Sequence, residues 1–150
     1  MQPEHQYQVS LQFENDRKGT LRSEVLNSSI EVATPPDFPK GMPGIWSPEH
    51  LLVAAVSSCL MTTFLAIAEN SKLEFFTFDV NSMGKLETVD GKLMMSEITL
   101  LPVITIRSEH DRERAERILN KSEAACLISN SVKSKIIFKP EVLILNEVNK

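Results

Sequence analysis

The chain opens on a period of two. Tyr7, Val9, Leu11 and Phe13 alternate with polar residues, the signature of a half-buried strand. Residues 15–19 (NDRKG) read as a turn, and Thr20–Val25 and Ile30–Ala33 supply two further strands of a meander. Prolines and glycines then crowd the stretch from Thr34 to Pro48, which predicts an irregular loop. Ser47-Pro48-Glu49 is a helix start: serine caps, proline suits the first helical position, and a carboxylate meets the positive helix end. The helix is predicted to run to about Asn70. Because Leu51 to Ala68 carries no charge, it is expected to be buried on nearly all sides.

Phe75–Leu86 and Leu93–Ile106 predict two long strands joined by a hairpin turn near Asp90-Gly91. The charged run from Glu109 to Arg117, followed by Ile118 and Leu119, predicts a second, exposed helix. A break near Glu123 then leads into a third helix around Cys126 to Val132. Ile136–Phe138 and Val142–Leu145 read as closing strand segments around Pro140. The order βββ-α-ββ-αα-β argues for an α+β fold, with one antiparallel sheet system packed on a central apolar helix. A length of 150 residues fits a single domain, 1–150, with a core of its own.

Composition narrows the function. Hydrophobic residues make up 42% and charged residues 24%, as in globular proteins. A net charge of -4 without a basic patch argues against nucleic acid and against anionic membranes. Met1 to Ser10 has no apolar stretch that reads as a secretory signal, so a reducing cytoplasm is the expected compartment. The uncharged helix just reaches spanning length. Ser57, Ser58, Cys59, Thr62 and Thr63 interrupt it and no basic cluster flanks it, which favours a soluble core over a membrane span.

In a reducing compartment, two cysteines are more often reactive, metal-binding or merely buried than a standing disulfide. Cys59 lies mid-helix, where free cysteine often serves as a small hydrophobe. Its polar company, Ser57, Ser58, Thr62 and Thr63, favours a reactive role, while such hydroxyls bonding back to their own helix is the other reading. Cys126 falls at the expected start of the third helix, where the helix dipole lowers a thiol pKa; a buried apolar position is the other reading. Neither cysteine has a Cys-x-x-Cys or Cys-x-x-His neighbour and the histidines are scattered, so no metal is expected. Glu49 alone reads as compensation of the helix dipole, and Arg17 alone as a solvated turn charge.

Together these residues resemble the OsmC/Ohr family, of osmotically inducible protein C and the organic hydroperoxide resistance proteins. The resemblance lies in Ser47-Pro48-Glu49-His50-Leu51-Leu52, Ala54-Ala55, Cys59 ten residues after Glu49, and Cys126 with Ser129 three positions on. It extends to the order of strands and helices over almost the whole chain. Arg17, ahead of Thr34-Pro35, is similar to the family arginine, with Arg22 as a substitute. The second motif departs from the family pattern, since Leu127 follows Cys126 where the family has proline.

The resemblance implies an intertwined homodimer with sites at the subunit interface, and a thiol-dependent peroxidase for organic hydroperoxides in oxidative-stress defence. By that likeness Cys59 is the reactive cysteine, Cys126 the resolving one, Arg17 stabilises the thiolate and polarises the peroxide, and Glu49 holds the arginine. A thiol or dithiol, of lipoyl type, is the expected reductant, and no cofactor is implied. Ten helical residues span roughly 15 Å. Glu49 therefore cannot touch the Cys59 of its own helix, and a shared site needs a partner subunit or a bridging arginine. The same scaffold also suits a small-ligand-binding or redox-sensing protein without turnover.

Overall fold

The computed structural model describes residues 4–145, so Met1 to Pro3 of the polar start read above lie outside the described residues. The chain makes two compact units, residues 1–51 and 52–150.

In the first unit β1 (Ser10–Asn15), β2 (Lys18–Arg22) and β3 (Ile30–Ala33) form an antiparallel meander in the order β1-β2-β3. Asp16, at a φ of 50°, turns the chain between β1 and β2. The loop that follows is irregular, as its prolines predict, but it is tied by turns. Met42 N–H donates to Thr34 O at 2.9 Å, and Trp46 bridges to Val32. Gly41 is required there: a Cβ would lie 2.0 Å from Pro35 O. The period-two pattern of β1 gives a strand, but not a half-buried one. Leu11 and Phe13 are 64% and 71% exposed, because the meander has no second layer of its own to cover that face.

The helix α1 (Pro48–Asn70) begins where the sequence places it. Ser47 Oγ accepts from His50 N–H at 3.1 Å, and Pro48 fills the first helical position, where no N–H is needed.

In the second unit β4 (Thr77–Val89) and β5 (Lys92–Ile106) pair antiparallel, joined at Asp90 and Gly91. Both turn residues have positive φ, 50° and 79°, as a two-residue hairpin of the twist-matched kind needs. The helix α2 (Arg112–Ala125) follows, then β6 (Lys135–Phe138) and β7 (Glu141–Ile144). Both of these run parallel to β5, β6 against Glu97–Leu100 and β7 against Val103–Ile106. The second sheet is therefore mixed and not wholly antiparallel, because a strand–helix–strand crossover returns the chain in the same direction. β6 and β7 are successive stretches along one side of β5, and Pro140, which has no N–H, stands between them.

Val56, Leu60, Phe64 and Ala68, four residues apart, form the buried ridge of α1. Val56 and Leu60 pack with Ile98 and Leu100 of β5, while Phe64 and Ala68 join Ile104, Ile106, Ala115 and Leu119. Phe64 stacks on Phe78 with centroids 4.4 Å apart. Gly84 of β4 lets the helix approach, since a Cβ there would come within 2.6 Å of Val53 Cγ2. The opposite face of α1 (Ser58, Met61, Thr62, Leu65 and Glu69) is exposed, so the helix is buried on one side rather than nearly all. By length and composition α1 is able to cross a membrane, but its apolar ridge is spent on this sheet. Nor is α2 wholly exposed: Ala115, Ile118, Leu119 and Ser122 are buried.

Candidate active site

Cys59 belongs to the buried side of α1, one residue before Leu60, and is 8% exposed. The four hydroxyl residues around it divide by role. Ser57 Oγ donates to Val53 O at 3.0 Å and meets Ser82 Oγ of β4 at 2.5 Å. Ser58 and Thr62 donate back to Ala55 O and Cys59 O of their own helix, the ordinary use of such residues. Only Thr63, one turn on, faces the sulfur, with Oγ1 3.9 Å from Cys59 Sγ.

Cys126 is fully buried and closes α2 instead of starting a helix. The helix runs through Glu123, because Ala124 and Ala125 are strong helix formers, and Cys126 follows as its extended C-cap with φ -66° and ψ 109°. In place of the expected third helix there is a turn and a short 3-10 segment, Ser129–Ser131. The argument for a low Cys126 pKa from a helix N-terminus therefore falls away.

Both cysteines are free and buried, and each alters the ionisation of the other. Their environments separate them. Burial is the largest influence on Cys59 and opposes its ionisation. The N–H of Ile128, the thiol of Cys126, the hydroxyl of Thr63 and the N–H of Leu127 together outweigh it, and its pKa lies below the ordinary thiol value. Burial pushes the Cys126 thiol up, and although Ser129 opposes this, the charge and hydrogen bond of Cys59 add to the rise. Charge on the pair therefore settles on Cys59, and the proton on Cys126.

Arg17 and Glu49 lie in the first unit. Arg17 is exposed in the turn after β1 and lines an apolar cleft of about 390 Å³ with Leu11, Phe13, Val32 and Pro48. Its carbonyl accepts from Thr34 N–H at 3.3 Å, which ties that turn to the loop after β3. Arg22, the substitute, donates to Gln12 Oε1 at 3.4 Å along the sheet. Glu49 Oε1 is buried without a hydrogen-bond partner, a costly position for a carboxylate oxygen that a cationic donor would relieve. Among the described residues no group of acidic, histidine and cysteine side chains is arranged to hold a metal.

The sequence named Thr63 only as one of four hydroxyl residues, and it gave no sign of the N–H groups of Leu127 and Ile128. Thr63 was legible in principle, being four residues from Cys59 and so on the same helix face. The main-chain donors carry no side-chain signal.

The family described as OsmC-like protein matches residues 41–141. An uncharacterised protein of Bacillus subtilis, YmaD, is 24% identical over 139 residues, 89% of this chain and 90% of that protein. An OsmC-like protein of unknown function from Vibrio cholerae has a similar fold, with a TM-score of 0.82 at 21% identity, over 91% of this chain and 99% of that one. So has an organic hydroperoxide resistance protein from Elizabethkingia anophelis, at 0.75 and 20% identity, over 96% and 99%.

Proposed function

The chain belongs to the OsmC-like protein family, and on that footing we propose that it is a cysteine-based reductase of organic hydroperoxides, acting in oxidative-stress defence in the cytoplasm. The observation that carries this reading is the pair of buried, free thiols with opposite tendencies, Cys59 toward thiolate and Cys126 toward thiol. A nucleophile and a resolving group need that division of labour.

The Cys59 thiolate attacks one oxygen of the hydroperoxide. An S–O bond forms, the O–O bond breaks, and the other oxygen leaves as alkoxide and takes a proton to become the alcohol. Cys59 is thereby oxidised to a sulfenic acid. The sulfur of Cys126 then attacks that of Cys59, giving a disulfide and water. An external dithiol, of lipoyl type, returns both cysteines to thiols by exchange and is itself oxidised to a disulfide. Conversion of Cys59 to the neutral sulfenic acid removes the charge that holds the proton on Cys126. The second step is thus eased only after the first.

Arg17 would polarise the peroxide and Glu49 would fix the guanidinium. The partnerless oxygen of Glu49 and the apolar walls around Arg17 support those roles. The working form is a homodimer. Its support is the apolar surface a single chain leaves open, Leu11 and Phe13 on β1 and Met61 and Leu65 on α1.

The test is consumption of cumene hydroperoxide with dihydrolipoate as reductant. Wild type should turn over. Cys59→Ser should lose activity entirely, and Cys126→Ser should lose disulfide-dependent recycling while still reacting once. Wild-type-like consumption by Cys59→Ser would sink the proposal. If wild type consumes no hydroperoxide yet binds small apolar ligands, the scaffold is a binding protein.

A further inference from the structure

Of the four hydroxyls around Cys59, one is used differently from the rest. A serine or threonine inside a helix ordinarily donates to a carbonyl three or four residues back. Ser57, Ser58 and Thr62 do so, on Val53 O, Ala55 O and Cys59 O. Thr63 does not. The carbonyl four residues back from it is Cys59 O, which already accepts the helix's own N–H and, at 3.1 Å, the Thr62 hydroxyl. Both lone pairs of that oxygen are taken. Thr63 Oγ1 stands instead 3.9 Å from Cys59 Sγ, its one hydrogen-bonding neighbour among the described residues. The turn that carries it is fixed, because Phe64, next along α1, is fully buried and stacked on Phe78. Cys59 is itself buried, so little water is at hand to replace a lost donor.

We propose that Thr63 is a catalytic residue, its hydroxyl donating to the Cys59 sulfur and holding the negative charge there until the peroxide is attacked. The proposal rests on Cys59 being the nucleophile. A thiolate has no proton to give, so in the ionised pair Thr63 is the donor and the sulfur the acceptor. The bond is charge-assisted in that state only. Once Cys59 is a neutral sulfenic acid the charge is gone, so the same hydroxyl favours the reactive form over the spent one. The titratable group that acts on Cys59 is Cys126. A threonine hydroxyl does not ionise in the working range, so its donation is constant with pH and only the sulfur changes state.

The experiment reads the pH dependence of iodoacetamide alkylation in a Cys126→Ser parent, where Cys59 is the single thiol. The parent should alkylate with a midpoint below the ordinary thiol value, losing thiolate only as pH falls through the folded-state pKa. Adding Thr63→Val, which keeps the branched shape and deletes the donor, should raise that midpoint by about half to one pH unit. Below both midpoints about three- to tenfold less thiolate should then remain, and the deficit should close as pH rises past them. Thr63→Ala should do the same and, as alanine is the better helix former, decides the matter if the valine variant does not fold. Thr63→Ser restores the hydroxyl and should bring the midpoint back. Ser58→Ala, which removes a hydroxyl spent on a carbonyl, should leave it unmoved. Suppose the parent midpoint is low. If Thr63→Val and Thr63→Ala leave it there, if serine does not restore it, or if Ser58→Ala shifts it as much, the role of Thr63 is wrong and the nucleophile reading stands. If the parent midpoint is already at or above the ordinary thiol value, both fall.

Discussion

β1 in the first unit and β5 in the second are both rich in alternating apolar residues, yet they meet different fates. Along β5, Ile98, Leu100, Ile104 and Ile106 are fully buried under α1 and α2. Along β1, Leu11 and Phe13 are largely exposed, and Ile30 of the same sheet is 39% exposed. The second unit contains the layers its pattern demands, whereas the meander of the first does not. Alternation therefore states that a face must be covered, and leaves open what covers it.

The contrast is broken most severely at Phe64. Phe64→Ala should cost about 3–5 kcal/mol in urea unfolding, since a fully buried ring leaves a cavity between α1 and Phe78. A loss below about 1 kcal/mol would mean that this core is not the stabilising one. Phe13→Ser sharpens the same contrast. In dilute protein, where chains are single, it should change stability by no more than about 0.5 kcal/mol, as an exposed position does. If the chain is the proposed homodimer, sedimentation should show that dimer weakened by Phe13→Ser; an unchanged dimer would remove β1 from the interface.

Within the first sheet, the buried Thr20 hydroxyl donates to Glu14 at 2.6 Å. Thr20→Val should cost about 1 kcal/mol, measured by thermal melting, as one ordinary intramolecular hydrogen bond is worth, because Glu14 itself is exposed. No change would show that Glu14 prefers water. The smallest effect is expected at the exposed pair of Lys85 and Glu87, 3.5 Å apart. Lys85→Ala should shift stability by about 0.5 kcal/mol or less, and less still in high salt.

Much of the second unit was legible in the sequence. Asp90-Gly91 specified its hairpin and the strands flanking Pro140 fell where expected, and in the first unit Ser47-Pro48 specified the start of α1. The parallel pairing of β6 and β7 was less visible, because it follows from where α2 returns the chain and not from any residue type. The pairing of Cys59 with Cys126 came only from the family likeness, since a sequence gives no separation, and the position of Cys126 was misjudged. A charged Glu123 read as a break, whereas the alanines after it carry the helix onward. The donors around Cys59 were legible only in part. Thr63 sits at the right helical interval, but three neighbouring hydroxyls look the same in sequence and spend themselves on carbonyls and on Ser82. Backbone N–H groups are common to nearly every residue, so those of Leu127 and Ile128 carry no signal of their own in the sequence.

Pro140 has a consequence for how these molecules behave in a crowd. β6 and β7 run along the margin of their sheet, where unpaired N–H and C=O groups invite a strand from another chain. A residue without an N–H, placed midway, divides that margin into two runs of four residues, Lys135–Phe138 and Glu141–Ile144. Neither run is long enough to seed extended pairing alone, and the apolar sequence Ile136-Ile137-Phe138 is cut off before it meets Val142-Leu143-Ile144. The proline thus guards against fibrous association of a sequence that, written without it, would be among the stickiest in the chain.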